Sequence, residues 1–275
     1  MIKLEDVIDP EARQVPKQVI EQTLEYLKTT LPKGAKILLL SHCGARAFGW
    51  GTKQNDYDIH GVIACKGYFD YIHAGYTHVD LNLHELYHLI EIALRYHSGE
   101  TIINLATPVH VELLDIKQIS QVVSKEFFPL YSIKSELKEG LETNYERPLL
   151  HGFRKALTPS YFFETGEWNT YLPDLWRYYQ LPEQVLAELI QAYKSRLKGE
   201  PRKLPEKTQL EETINKAVKI AEENIEKKAP KFDWDKFQEL REQLYTIHDK
   251  VKCRVKPPET VLKTLDNVRK RRFRM

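Results

Sequence analysis

Apolar and polar residues change their spacing several times along the first 110 positions. Segment 16–31 carries apolar residues three and four positions apart, which predicts an amphipathic helix. The run 37–40 is continuously apolar and predicts a buried strand, while 56–64 and 78–83 alternate and predict two more strands. Segment 84–97 returns to helical spacing. This part of the chain is therefore expected to combine helices with a small sheet.

Beyond residue 119 the pattern is almost entirely helical. The stretch 199–205 (GEPRKLP) lacks apolar periodicity and predicts a linker. We therefore predict an α+β protein, with a small mixed β-sheet domain over 1–115 followed by an α-helical domain over 116–275. The later helices are predicted at 131–147, 166–179, 183–198, 208–228, 234–251 and 258–272.

The composition excludes a membrane protein. No stretch approaches the ~18 uncharged apolar residues that a membrane span requires, and the first residues lack the apolar core of a signal peptide. We expect a cytoplasmic protein with no membrane contact. Cys43, Cys65 and Cys253 are far apart and form no CxxC pair, so neither a zinc ribbon nor a disulfide framework is expected, and a reducing compartment fits.

Positive charge is concentrated at the C-terminus. The net charge is only +2, but the residues from Lys250 onward include ten Lys or Arg and two acids. The chain closes on RKRRFR, residues 269–274. Such a tail is typical of segments that contact phosphates, and a merely solvated basic end is the alternative.

The strongest chemical signal is GARAFGWGTKQNDYDIHGV, residues 44–62. Asp56 and Asp58 are two positions apart on a predicted strand, so both side chains point to one face and repel each other unless a cation lies between them. Asp80 lies at the centre of the next predicted strand. Three acids on adjacent strands suit a site for two divalent ions, Mg²⁺ or Mn²⁺.

The residues before these acids predict a phosphate site. Gly44 follows an apolar strand and permits close approach of the backbone to a ligand. A short helix at 45–48 would expose N–H groups that favour phosphate, and Arg46 could pair with phosphate oxygens. A glycine turn or an acidic pair alone is common, but this combination in this order indicates a nucleotide site.

Here the sequence resembles a known family. The segment GARAFG…DYDIHGV resembles the signature of the DNA polymerase β-like nucleotidyltransferase superfamily, and is most similar to its predicted nucleotidyltransferases with GSRAYG…SDYDxRGV. The runs 79–108 and LHGFRKAL, residues 150–157, also resemble that group. The resemblance covers roughly residues 37–180 and is strongest at 44–62.

The resemblance implies a role for each matching residue. Asp56 and Asp58 would be the metal ligands, Asp80 the third carboxylate, and Gly44 the glycine that touches the triphosphate. The backbone of Ala45 would belong to the same nucleotide site. Basic side chains of the helical part would face the nucleotide, here Arg154 and Lys155.

Two positions depart from the family pattern. Ala45 replaces the serine whose hydroxyl contacts a phosphate, and Asn104 stands near a position where members often have an acid. Either change is compatible with slow catalysis, a different substrate, or binding without turnover.

A second motif competes with this interpretation. His84, Glu85 and His88 match HExxH, the zinc metallopeptidase signature. The motif needs both histidines on one helix, whereas His84 directly follows a predicted strand. We therefore favour a chance match and keep the zinc peptidase as the third hypothesis.

The expected reaction is transfer of a nucleoside monophosphate from an NTP to a hydroxyl, with Mg²⁺ or Mn²⁺. The first choice of acceptor is an RNA or DNA 3′ end, because of the basic tail. The alternatives are nucleotidylation of a protein partner, transfer to a small molecule, and nucleotide binding with little catalysis. The sequence leaves the oligomeric state open.

Overall fold

A computed structural model describes residues 2–65, 71–76 and 78–253, with backbone only for Tyr71–Tyr76. Five strands form one mixed sheet in the order β3-β4-β2-β1-β5. β2 and β4 pair in parallel, and the other neighbours pair antiparallel. The strands are β1 Lys36–Cys43, β2 Tyr57–Ala64, β3 Tyr71–Tyr76, β4 Val79–Glu85 and β5 Pro108–Val111.

Helices make up most of the remaining described chain, so the predicted α+β class is confirmed. Irregular helical turns extend α4 over Leu89–Leu94 and α11 over Glu222–Lys228. The helices are α1 Leu4–Val7, α2 Lys17–Thr30, α3 Gly44–Phe48, α4 Leu86–His88, α5 Gly99–Leu105, α6 Ile116–Ser120, α7 Leu130–Glu142, α8 Glu146–Thr165, α9 Leu172–Tyr178, α10 Glu183–Leu197, α11 Lys207–Ala221 and α12 Trp234–Lys250.

The three predicted strands are present: the continuous apolar run is β1, and the two alternating segments are β2 and β4. The pattern did not predict β3 or β5. β5 is a four-residue edge strand whose residues are exposed or half-buried, so it has no apolar face to reveal it. β3 contains Gly75 and a histidine among its few apolar residues, which breaks the alternation.

The longest regular helix of the described residues, α8, was not predicted from apolar spacing, although the family resemblance placed 150–157 in a helical part. The helix predicted over 131–147 is present as α7 up to Glu142, but its last part is wrong, because the chain turns at Asn144, whose φ is +51°, before α8 begins. Pro159 lies inside α8 and masks its helical character in the sequence. The helix predicted at 166–179 shortens to α9. The helix predicted at 258–272 lies outside the described residues.

The sheet separates two apolar layers of unequal size. A small cluster fills the space between one sheet face and α2, with Leu27, Ile59 and Leu81 among its members. A larger cluster covers the opposite face and continues without interruption into the later helices, from Leu4 to Cys253. The predicted domain boundary at residue 115 thus crosses one continuous core and stays a prediction.

The expectation that the cysteines are unconnected is wrong for two of them. Cys65 and Cys253 form a disulfide, with Cα atoms 5.2 Å apart, and Cys43 is free and buried. The two residues are separated by 188 positions, so only the fold brings them together. Within the described part of the chain, no helix combines the length and apolar character needed to cross a membrane.

Candidate active site

Two of the three predicted acids face each other across neighbouring strands. The parallel pairing of β2 and β4 sets Asp58 directly opposite Asp80. Ile59 and Leu81, the next residues, belong to the small apolar cluster beneath the sheet. Because side chains alternate along a strand, Asp58 and Asp80 lie together on the other face. Asp56 directly precedes β2 and is exposed.

Gly44 lies against the Asp58 carboxylate. It follows β1 with a left-handed φ of +72° and begins α3. Its neighbour Cys43 pairs with Asp58 across β1 and β2. A side-chain Cβ at position 44 would overlap the Asp58 carboxyl group. The chain therefore requires glycine here both for its backbone conformation and for the space that Asp58 occupies.

The pKa of Asp58 shows the effect of burial and of the neighbouring acids. Its pKa is raised from 3.8 to about 6, first by burial and then by the charges of Asp80 and Asp56. The guanidinium groups of Arg147 and Arg46 act in the opposite direction. Burial and the neighbouring negative charges both disfavour the ionised form of Asp58, and a bound cation would favour it.

The carboxylate oxygens of these acids are suitable ligands for a hard divalent cation, although the side chains do not point to one common metal position. Carboxylate oxygens are the ligands that Mg²⁺ prefers. Within the described residues, no group of three or more His, Cys, Asp or Glu is arranged to hold a metal ion. Asp56 instead pairs with His78, its Oδ1 lying 3.5 Å from the histidine Nδ1. Both partners are exposed, so this ion pair is weak and Asp56 can turn toward Asp58 at little cost.

A cleft of about 340 Å³ opens beside the acids. Its volume is in the range of small-ligand sites. It brings together Gly44, Ala45, Asp56 and Asp58 from the predicted site, whereas Asp80 pairs with Asp58 in the sheet and is not one of the lining residues. The helical part contributes residues that the sequence did not single out. The remaining lining residues are Trp50, Asn55, Arg147, His151, Tyr193, Arg196 and Leu197.

Arg46 is directed at the protein's own backbone rather than at the cleft. The side chain is buried, with 4% of the residue exposed. Its Nε donates to the Ala12 carbonyl at 3.0 Å, and its Nη1 donates to the carbonyls of Lys53 and Asn55 at 3.3 and 3.0 Å. The hydrogen bonds of Arg46 thus serve the loop before Asp56, and the predicted phosphate contact has no support in this geometry.

Arg154 and Lys155 are not among the residues that line the cleft. The fully buried Arg154 side chain pairs with Glu100 at 2.5 Å and stacks on the ring of Phe48. Lys155 pairs with Glu136 at 2.7 Å. Burial raises the pKa of Glu100, but the charge and hydrogen bond of Arg154, together with the charge of Lys155, outweigh it and lower the pKa to about 2, so Glu100 stays charged. Their positive charge is therefore neutralised inside the protein, which argues against the predicted nucleotide contacts.

Arg147 and Arg196 supply the positive charge of the cleft. Arg147, near the start of α8, is exposed and has no ion-pair partner among the described residues. Arg196 on α10 shares the buried Glu146 carboxylate with Arg202, at 2.6 and 3.1 Å. Arg147 lies four positions before His151 on α8, so helical spacing puts the two on one face, and both line the cleft.

The HExxH motif does not form the arrangement of a zinc peptidase. His84 lies in β4, whereas His88 ends α4, so the two are not on one helix. Their Nδ1 atoms are 3.2 Å apart. The Glu85 carboxylate is fully buried and accepts hydrogen bonds from the backbone N–H groups of Cys65 and Tyr87. A carboxylate committed in this way cannot serve as the base of a peptidase.

Replacing Asp58 by Asn is expected to stabilise the metal-free protein at neutral pH. Because folding raises the pKa of Asp58 from 3.8 to about 6, the folded state binds more protons than the unfolded chain in this window. The free energy of unfolding therefore falls as pH rises through it. Above this window we expect Asp58→Asn to gain on the order of 1–2 kcal/mol. Denaturant unfolding in EDTA between about pH 4 and pH 8 measures the free energy of unfolding of the unmodified protein and of Asp58→Asn. The same pH dependence of this free energy in both proteins would contradict the prediction.

Comparison with known proteins adds no family assignment. Neither a model of a known protein family nor a curated protein matches this chain. The arguments for function therefore rest on the residues and geometry of the cleft.

Proposed function

We propose that this protein is a metal-dependent nucleotidyltransferase that transfers a nucleoside monophosphate from an NTP to a hydroxyl group. One observation carries the proposal: Gly44, in a left-handed conformation, lies against the carboxylate of Asp58, which faces Asp80. A backbone turn that excludes any side chain, beside mutually repelling carboxylates, suits a polyphosphate bound together with divalent cations.

Each acid has a distinct task in this proposal. Asp56 and Asp58 would hold Mg²⁺ or Mn²⁺, and Asp80 would complete the ligand set. Bound there, the metal supplies charge neutralisation for the triphosphate and lowers the pKa of the acceptor hydroxyl. Asp80 would also accept the proton of that hydroxyl, because it lies directly beside the metal-binding Asp58 on the neighbouring strand.

The arginines of the cleft complement the acids. Arg147 lacks an ion-pair partner among the described residues, so its guanidinium can pair with phosphate oxygens without first breaking a contact. Arg196 already shares Glu146 and serves as a fixed second charge. Together they place two cations opposite the acids, as a polyphosphate with bound metal requires.

The acceptor is proposed to be an RNA or DNA 3′ end. Its support is the basic segment 269–274, which lies outside the described residues. A protein hydroxyl is the alternative acceptor. Binding of nucleotides with little catalysis is the alternative activity, and it is favoured by Ala45, which lines the cleft without the hydroxyl of the family serine.

The test is incubation of the purified protein with each labelled NTP separately, in Mg²⁺ or Mn²⁺, with RNA, DNA and protein acceptors. Transfer of label that depends on metal and on Asp58 supports the proposal. Nucleotide binding without transfer to any acceptor would favour the binding protein. Absence of both would exclude a nucleotide function.

Replacing Arg147 by Met is expected to raise KM for the NTP about tenfold, because one charge-assisted contact with phosphate contributes ~1.5 kcal/mol. The matched change Lys155→Met tests the residue that the sequence pattern favoured. We expect it to alter KM less than twofold, since Lys155 pairs with Glu136 away from the cleft. Steady-state kinetics at saturating acceptor distinguish the two, and a larger effect at Lys155 would reverse this assignment.

A further inference from the structure

Asp56 is the one acid of the site that no strand ladder fixes. β2 begins at Tyr57, so Asp56 belongs to the loop that joins α3 to the strand. The adjacent Tyr57 N–H donates to the His78 carbonyl at 2.8 Å, whereas the backbone of Asp56 makes no such bond to another described residue. Its side chain is 61% exposed. The position of Asp56 is therefore set by the loop before it.

The buried side chain of Arg46 binds that loop. The Arg46 guanidinium binds the carbonyls of Lys53 and Asn55, the last residues before Asp56. It also lies 3.7 Å from the centre of the Tyr57 ring, on the other side of Asp56. Arg46 thus contacts the chain immediately before and immediately after Asp56.

The same side chain fixes the loop to the rest of the molecule. Arg46 Nε donates to the carbonyl of Ala12, in an N-terminal segment that contacts α3. Its own backbone lies next to the loop, because the Gly51 N–H donates to the Ala45 carbonyl at 2.7 Å. A Cβ at Gly51 would approach the Arg46 backbone nitrogen to 2.6 Å, so the loop is packed tightly on α3.

We propose that Arg46 is a positioning residue, which orders the 51–55 loop so that Asp56 can bind metal next to Asp58. This inference rests on the proposed function. It differs from a phosphate contact, because all the hydrogen bonds that carry it go to backbone carbonyls. The planar fork of a guanidinium can bind three separate carbonyls and stack on a ring at once, whereas a lysine ammonium cannot.

The test measures Mn²⁺ binding by electron paramagnetic resonance, with Mn²⁺ alone and the full chain. Arg46→Met and Arg46→Lys are both expected to weaken Mn²⁺ binding 10–100-fold, the usual effect of losing a group that orients a metal ligand. The concentration of Mg²⁺ that gives half-maximal transfer should rise in parallel. Arg46→Lys distinguishes the effect of hydrogen-bond geometry from that of charge, because lysine keeps the positive charge but lacks the planar guanidinium.

A destabilised control excludes a merely structural effect. Leu27→Ala removes a buried side chain from the small cluster on the opposite sheet face, and it should lower the melting temperature while leaving Mn²⁺ affinity unchanged. If the Arg46 variants do not fold, Gly51→Ala displaces the same loop from α3 and should weaken Mn²⁺ binding equally.

Two outcomes overturn the inference: wild-type Mn²⁺ affinity in Arg46→Met, or full rescue by Arg46→Lys. If neither Arg46 variant folds, wild-type Mn²⁺ affinity in Gly51→Ala does the same. Absence of Mn²⁺ binding and of transfer in the unmodified protein would instead contradict the proposed function.

Discussion

Asp58→Asn is expected to abolish nucleotide transfer, with a loss of at least about 10³-fold, or ~4 kcal/mol in the transition state. Asp58 is the half-buried acid against Gly44 and opposite Asp80, so an amide there leaves any bound metal short of charge and of a ligand. Single-turnover transfer of labelled NTP measures the effect. Asp56→Asn should show a similar loss.

The control for this experiment is Asp174→Asn. Asp174 is an exposed aspartate that pairs with Arg13 at 3.4 Å, and such surface pairs contribute ~0–1 kcal/mol. Its transfer rate should equal that of the unmodified protein. Because Asp58→Asn should also gain stability without metal, loss of activity cannot be attributed to unfolding. An active Asp58→Asn protein would exclude this carboxylate from the chemistry.

Gly44→Ala is expected to reduce transfer at least 100-fold and to destabilise the protein. A non-glycine residue at a left-handed φ costs ~1–2 kcal/mol, and the added methyl group must also displace the Asp58 carboxylate. The first cost should appear in the stability of the variant, and the second in its transfer rate.

Gly199 provides a matched control for Gly44. Its φ of +71° equals that of Gly44 within a degree, but a Cβ there meets no atom within 4 Å. Gly199→Ala should therefore show only the backbone cost and retain full transfer. Thermal unfolding and transfer rates of both variants separate the two effects. Equal activity of the two variants would show that the contact between Gly44 and Asp58 is dispensable.

The sequence predicts the elements of the fold in which burial of one face gives the apolar residues a regular spacing. β1, β2, β4, α2 and α10 bury one face or both, and their bounds agree with the pattern within a few residues. β5 has no buried face, so its sequence carries no clear period, and α8 has an internal proline, which ordinarily ends a helix. The disulfide between Cys65 and Cys253 depends on chain path alone, which no spacing rule encodes.

Part of the site could be predicted from the sequence and part could not. Asp58, Asp80 and Gly44 could be predicted, because strand alternation and a glycine turn are local properties of the sequence, and the structure brings the three together. The arginines are different, because a basic residue has the same sequence signature whether it faces a cleft or a buried carboxylate. The pairing of Arg154 with Glu100, 54 positions away, decides its role and is visible only in the structure.

The chain segment between Gly44 and Asp58 and the segment between Asp58 and Asp80 differ in how many inserted or deleted residues they can accept. Gly44 and Asp58 touch across antiparallel strands, so inserting or deleting a residue between them must be absorbed by the loop that Arg46 holds. Asp58 and Asp80 are joined through edge strand β3, where extra residues can extend the connection without shifting either acid. Homologous sequences should thus keep the interval from glycine to aspartate nearly constant, while the interval to the third acid drifts. Searches for such sequences should impose the first interval and leave the second free.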